Sequence, residues 1–197
     1  YAERAKLIGR YFRGEFATLK AEIEQPKYFR EKLIYNYIYK GPLLEWYMRI
    51  KTSMEKHYKT FCELVPQQGK ILDIGCGYGF MAYMLSFTSA QRKITGLDYD
   101  EEKIDTANNC FSKTNNINFV HGDVMGFEFE QYDAIIVADM LHYLPPAEQK
   151  QVIEKCISNL NHGGKLIIRD GDADKEAMHK KTRLTEFFST KLLNFNK

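Results

Sequence analysis

The stretch KILDIGCGYGF, residues 70–80, decides the reading of this chain. Its first half is apolar apart from Lys70 and Asp73, and its second half carries Gly75, Gly77 and Gly79 at alternate positions. A short apolar run ending in glycines reads as a buried strand that turns tightly, and FMAYMLSF after it reads as the start of a helix. Backbone amides exposed in such a turn, at a helix N-terminus, form a ready site for a polar ligand.

Outward from this stretch the pattern repeats. KITGLD is a second strand followed by the helix EEKIDTANNCFSK, and INFVHGD is a third. YDAIIVAD is a fourth, buried strand followed by the helix PAEQKQVIEKCISNL; Gly163-Gly164 then turns the chain into a fifth, KLIIRD. Strands and helices alternating at this spacing predict an α/β fold, a Rossmann-like parallel sheet with helices on both faces. Ligands of such sheets lie beyond the carboxyl ends of the strands, at the switch point.

Before Lys70 the pattern is helical. Leu7, Ile8, Tyr11, Phe12, Phe16, Leu19 and Ile23 predict an amphipathic helix over 1–24, a packing helix or one that lies on a membrane surface. Pro42 opens a second, predicted to run to Pro66 with Leu43, Tyr47, Ile50, Met54, Phe61 and Val65 on its packed stripe. Tyr35, Tyr37 and Tyr39 alternate between the two, as a small strand, a lid or plain packing. The chain therefore divides into an N-terminal helical cap or linker, 1–69, and a ligand-binding domain, 70–197.

Composition excludes several classes. The 197 residues hold no apolar run of the length a membrane helix needs, and the polar start YAERAKLIGR is not a signal peptide. Four cysteines with no CxxC pair argue against a zinc site or a disulfide framework and for a reduced, cytoplasmic chain. Net charge is +5 over 1–69, −5 over 70–170 and +2 over 171–197, so the strand-rich unit is acidic and ill suited to a nucleic-acid backbone.

The ligand follows from the glycine spacing and the acids. A dinucleotide turn is G-x-G-x-x-G, but from Gly75 the third glycine would fall at Phe80; here it comes one step early, at Gly79. Asp73 at the strand end raises the cost of an anionic pyrophosphate and favours a ligand with a positive group. S-adenosylmethionine carries an ammonium and a sulfonium, and its carboxylate can use the amides of the turn. Asp98, ending the second strand, can accept both ribose hydroxyls, as an acid does in NAD enzymes too. Asp123 is placed to accept from the adenine amino group. ADMLHYLPP, residues 138–146, follows the fourth strand, where sulfonium and methyl acceptor would meet.

With these residues in view, the segment from about 70 to 170 resembles the class I S-adenosylmethionine-dependent methyltransferases. LDIGCGYG looks like that family's first motif, GLDYD its second, HGDV its third and ADMLHYL its signature after the fourth strand. The resemblance implies S-adenosylmethionine as cofactor, with a binding set of Asp73, Gly75, Cys76, Gly77, Gly79, Asp98, Tyr99, Asp123, Val124 and Asp139, and Tyr39 from the cap. It implies a small-molecule or lipid-like acceptor, since LHYL is similar to such members and the Asn-Pro-Pro-Tyr motif of amino-methylating nucleic-acid enzymes is absent. DNA is not expected as a partner, and RNA methylation is disfavoured.

His142 is the candidate base for a hydroxyl acceptor, with Tyr143 beside it and Asp139 near; an amine or activated carbon would need no protein base. The alternative role for His142 is orienting backbone or packing under the cofactor. Arg169 and Asp170 face the same mouth. The family closes its sheet with an antiparallel hairpin, which the residues after Asp170 are too few to supply, so C-terminal truncation is expected, with a true five-strand variant as the alternative. The chain also resembles methyltransferase segments fused behind lipid-type acyltransferase domains in larger bacterial polypeptides, which implies peripheral membrane contact. A cofactor-binding module without catalysis and an NAD-dependent oxidoreductase stay open as alternatives.

Overall fold

The computed structural model describes residues 5–6, 8–10, 13, 29–54 and 57–171. Of the predicted first helix, residues 5–6 and 8–10 are helical and the rest, apart from residue 13, lies outside the described residues, as does the segment after Gly171. Helices and strands below are numbered from Phe29.

Five strands form one parallel sheet: β1 (Gly69–Ile74), β2 (Arg92–Asp98), β3 (Ile117–His121), β4 (Tyr132–Ala138) and β5 (Leu160–Arg169), in the order β3-β2-β1-β4-β5. The order reverses at β1, whose neighbours are β2 and β4, so the switch point opens above the carboxyl end of β1. The KILDIGCGYGF turn emerges there. The predicted Rossmann-like architecture is the observed one.

The sheet alternation sorts the apolar side chains into two layers. Ile71, Ile94, Ile117, Ala134 and Ile136 face α1 (Phe29–Tyr35), α2 (Pro42–Met54), α3 (Tyr58–Leu64), α4 (Phe80–Thr88) and α5 (Glu101–Asn108). Leu72, Ile74, Leu97, Ile135 and Val137 face α6 (Pro146–Ser158) through Val152 and Cys156. Each aliphatic side chain buried in these layers contributes about 1.5–3 kcal/mol. The helical segment before Gly69 thus shares one core with the sheet.

The N-terminal segment departs from the expected pattern. The single helix expected from Pro42 to Pro66 is two, α2 and α3, with exposed His57 preceding the second. The packed stripe of α2 is Leu44, Met48 and Thr52, while Leu43 and Met54 stand 49% and 44% exposed. Thr52 belongs to the inner face because its hydroxyl donates to the Met48 carbonyl at 2.6 Å and carries no unmet donor inward. The tyrosines at 35, 37 and 39 form no strand: α1 ends at Tyr35, and a 3-10 turn covers Ile38–Lys40.

Two boundaries differ as well. Helix α5 stops at Asn108, five residues short of the predicted end, because the Asn109 amide turns back to the Thr106 carbonyl at 3.2 Å. Strand β5 begins at Leu160 rather than at Lys165. Gly163-Gly164 lies within it as a bulge, with Tyr132 paired to Leu160 but Ala134 to Lys165, and Gly163 has a φ of 77°.

One buried cation joins the layers. Arg92, at the start of β2, is 1% exposed. Its guanidinium donates to the carbonyls of Cys62 (3.0 Å), Val65 (2.9 Å), Pro66 (2.7 Å) and Leu85 (2.7 Å), and to the Thr88 hydroxyl (2.5 Å). These acceptors include carbonyls in the last turns of α3 and α4, which carry partial negative charge; the Leu85 carbonyl also accepts the Ser89 amide at 3.2 Å and the Thr88 hydroxyl at 2.9 Å.

Candidate functional site

The glycine turn is shaped by what would collide with a side chain. Gly75, Gly77 and Gly79 have φ of 72°, 53° and 76°, the left-handed region. A Cβ on Gly75 would lie 2.8 Å from Met140 Cγ, and one on Gly79 2.4 Å from the Phe119 ring. A Cβ on Gly77 meets nothing within 4 Å. Gly75 and Gly79 are thus glycine for close packing, whereas Gly77 faces open space. Cys76 is buried in the notch left by Gly96, whose added Cβ would stand 2.9 Å from its Sγ, and burial raises the thiol well above its ordinary pKa. It is a space-filler beneath the turn.

Two carboxylates support this turn. Asp98 Oδ2 accepts the Gly77 amide at 2.7 Å, and Oδ1 accepts the Asp100 amide at 3.0 Å. The sequence reading gave both oxygens to ribose hydroxyls. Each is already engaged with backbone, and each retains a second lone pair for a ligand. Asp100 in turn caps α5, accepting the Lys103 amide at 3.1 Å. Asp73 lies in β1 between Gly96 and Ile136, 2% exposed, and its Oδ2 has no hydrogen-bond partner among the described residues. Burial first, and the charge of Asp98 second, push its carboxyl up to about 7.

The third acid stands on a braced loop. Asp123 follows β3, and its Oδ1 accepts the Met125 amide at 2.9 Å. Lys155 reaches across from α6 and donates to the carbonyls of Val124 (3.1 Å), Met125 (3.1 Å) and Phe127 (2.6 Å). Its ammonium also lies 4.7 Å from the Phe129 ring centroid. The Val124 side chain is part of the second core layer, so only its backbone is available at the loop surface.

Beyond β4 the chain bends through Asp139, the one non-glycine residue with positive φ (53°) among those described. Its amide donates to the Arg169 carbonyl at 2.8 Å, and its carboxylate pairs with the Arg169 guanidinium. A 3-10 turn, Leu141–Tyr143, presents His142. His142 Nδ1 lies 2.6 Å from Asp170 Oδ1, and its backbone amide donates to Asp170 Oδ2 at 3.2 Å. The exposed Tyr143 ring packs on the imidazole at 4.1 Å between centroids. The loops after β1, β2, β3, β4 and β5 thus bring the glycine turn and these polar residues to one edge of the sheet.

This arrangement has relatives. A family model described as a methyltransferase domain matches residues 71–164. The carboxy-S-adenosyl-L-methionine synthase of Campylobacter fetus is 28% identical over 102 residues, covering 51% of this chain and 44% of that protein. The ubiquinone biosynthesis O-methyltransferase of Shewanella halifaxensis is 31% identical over 99 residues, covering 48% and 40%. Among solved structures, a protein of Pyrococcus horikoshii superposes with a TM-score of 0.56 at 25% identity, covering 70% of this chain and 61% of that one. Human N-acetylserotonin methyltransferase, solved in complex with S-adenosylmethionine, gives 0.56 at 20% identity, covering 73% and 43%. Residues 71–164 form a class I S-adenosylmethionine-dependent methyltransferase domain. The chain spans about half the length of the curated relatives it matches.

Two tyrosines of the segment before the methyltransferase domain bond to its backbone. Tyr39, assigned to cofactor, donates its hydroxyl to the Thr106 carbonyl in α5 at 2.7 Å and packs near Phe111. Tyr37 is the one that meets the glycine turn, donating to the Tyr78 carbonyl at 2.7 Å from a fully buried position. Tyr99 is 62% exposed beside Asp98, and its carbonyl lies 3.0 Å from His121 Nε2. The sequence reading missed Lys155, Tyr37 and the pairing of His142 with Asp170. Each joins residues at least 28 positions apart, which no local pattern reveals.

Proposed function

We propose that this chain binds S-adenosylmethionine at the glycine turn and methylates a small-molecule acceptor that approaches the loop after β4. The observation that carries the reading is the buried Asp73 carboxylate, with an oxygen lacking a donor among the described residues, at the foot of a turn that stays open over Gly77. A buried acid without a partner fits a ligand that brings a cation with N–H donors, and it disfavours a pyrophosphate.

In this reading the Asp73 carboxylate holds the ammonium, the backbone at Gly75–Gly79 surrounds the amino-acid portion, the remaining lone pairs of Asp98 take the ribose hydroxyls, and Asp123 takes the adenine edge. The cofactor supplies a methyl group activated by a positive sulfur. The protein's share is holding the acceptor in line with that methyl, worth up to about 7–11 kcal/mol, and removing a proton when the acceptor is a hydroxyl. His142 is the group for the second task, with Tyr143 as an aromatic surface beside it. A lipid-like acceptor, and membrane contact through the N-terminal section, belong to the same proposal; among the described residues no helix is long and apolar enough to cross a membrane.

Calorimetric titration with S-adenosylhomocysteine, with NAD in parallel, tests the reading. Saturable binding of the former alone, weakened by Gly77→Ala, is expected. Binding of NAD instead would overturn it. Binding of S-adenosylhomocysteine together with no methyl transfer from S-adenosylmethionine to any phenol, amine or lipid acceptor would convert the proposal to a cofactor-binding module without catalysis.

A further inference from the structure

The segment before β1 reaches the backbone of the glycine turn through one hydroxyl. Tyr37, fully buried, donates to the Tyr78 carbonyl at 2.7 Å. Its ring stands edge-on against Tyr83, 6.5 Å between centroids at 81°. Its chain neighbours are tied to the domain as well. Asn36 Oδ1 accepts the Ser112 amide at 3.0 Å, and the Tyr39 hydroxyl reaches the Thr106 carbonyl at 2.7 Å. The Tyr37 hydroxyl is therefore a donor on a firm mount.

The peptide it meets is an adjustable one. Tyr78 stands between Gly77 and Gly79, whose φ are 53° and 76°. Glycine takes either sign of φ at little steric cost, so the Tyr78–Gly79 peptide can turn over where a β-carbon would resist. In the observed state its carbonyl points inward to Tyr37, and its N–H, on Gly79, donates to the Cys76 carbonyl at 2.9 Å. Turned over, the carbonyl would leave the core and aim its negative end outward, toward the ligand side of the turn. A carboxylate there would meet a repelling oxygen in place of N–H groups.

We propose that Tyr37 is a positioning residue for the cofactor: by holding the Tyr78 carbonyl inward, it keeps the turn receptive to the carboxylate-bearing end of S-adenosylmethionine. This rests on the methyltransferase reading and gives the segment before β1 a part in cofactor recognition. Tyr37 acts through the turn and does not touch the ligand. Its hydroxyl matters for the amino-acid end of the ligand and not for the adenosine end, which belongs to Asp98 and Asp123.

The test is calorimetric titration of the wild type, Tyr37→Phe and Tyr83→Phe with two ligands. One is S-adenosylhomocysteine; the other is methylthioadenosine, which keeps the adenosine and the sulfur but lacks the carboxylate and ammonium. Methylthioadenosine is measured by its displacement of S-adenosylhomocysteine. Tyr83→Phe removes a buried hydroxyl bond of the same kind, to the Ala107 carbonyl at 2.5 Å, and so controls for a loss of stability away from the turn. All three proteins are compared at a temperature where circular dichroism shows them folded. Tyr37→Phe is expected to bind S-adenosylhomocysteine about tenfold more weakly, the size of one hydrogen bond, with methylthioadenosine binding unchanged. Tyr83→Phe is expected to bind both as the wild type does. Unchanged S-adenosylhomocysteine affinity in Tyr37→Phe would overturn the proposal, as would an equal loss for both ligands or the same loss in Tyr83→Phe. A Tyr37→Phe protein that does not fold would overturn it too, since the hydroxyl would then serve the fold rather than the ligand. Each of these results is read against a wild type that binds S-adenosylhomocysteine. A wild type that does not bind it removes the methyltransferase reading itself, and this proposal with it.

Discussion

At the scale of single residues, Asp73 carries the clearest pH signature. Its carboxyl sits at about 7 in the folded protein because burial, and then Asp98, disfavour its charge, against about 3.9 in an unfolded chain. Between those values the folded state holds a proton that the unfolded chain has released. Stability therefore falls as pH rises through that window, by up to about 4 kcal/mol from this group. Urea unfolding of the ligand-free protein at about pH 5 and pH 8 should show this loss in the wild type, and Asp73→Asn should lack it. Equal pH slopes in the two proteins would mean that Asp73 ionises normally in place. S-adenosylhomocysteine, through its ammonium, should bind tighter as pH rises through 7 in the wild type only, with a proton released on binding that calorimetry in two buffers detects. The glycines divide the same way: Gly79→Ala should destabilise the fold by about 2–4 kcal/mol, from left-handed strain and overpacking on Phe119. Gly77→Ala, with nothing in its path, should cost only the strain, about 1–2 kcal/mol, and show most of its effect on cofactor affinity. Comparing thermal midpoints with titrations of both variants checks the division.

At the scale of elements, the ligand loops are held from behind rather than by their own sequence. The loop after β3 is held by α6, since Lys155 supplies donors to three of its carbonyls. Lys155→Met keeps most of the aliphatic stem but leaves those carbonyls without the ammonium. A loss of about 1–3 kcal/mol of stability is expected, with weaker S-adenosylhomocysteine binding at a temperature where the variant is fully folded. Wild-type affinity in that variant would show that the loop keeps its shape unaided. The loop after β4 is held similarly, by Met140 beneath Gly75 and by Asp139 against β5.

At the scale of the whole molecule, Arg92 decides how the helical segment joins the sheet. Among the described residues its acceptors are backbone carbonyls and one hydroxyl, with no carboxylate, so oriented dipoles at helix ends compensate the charge. Arg92→Met should cost about 3 kcal/mol, because the Val65 and Pro66 carbonyls lose their donor and those of Cys62 and Leu85 lose a charged one together. Arg92→Lys should recover only part of it, since an ammonium has three donors and no planar fork. Chemical denaturation of both variants tests this, and an Arg92→Lys protein as stable as wild type would refute the geometric argument.

The sequence by itself determined the parallel sheet, because apolar runs ending in glycine or aspartate repeat at βα spacing and the central strands, β1 and β4, bury both faces. It also determined the glycine turn and the place of each acid in it, since one glycine spacing and strand-end positions are local features. It did not determine which face of α2 is buried, because Thr52 reads as polar until its hydroxyl is seen bonded within the helix. Nor could it show that the bulge at Gly163-Gly164 lengthens β5. The partnerships at the site belonged to the tertiary structure alone: Asp170 with His142, Lys155 with the Asp123 loop, Tyr37 with the glycine turn and Arg92 with α3. Side chains that distant in the chain meet only when the sheet has set the strand order, and periodicity along one element carries no record of its neighbours.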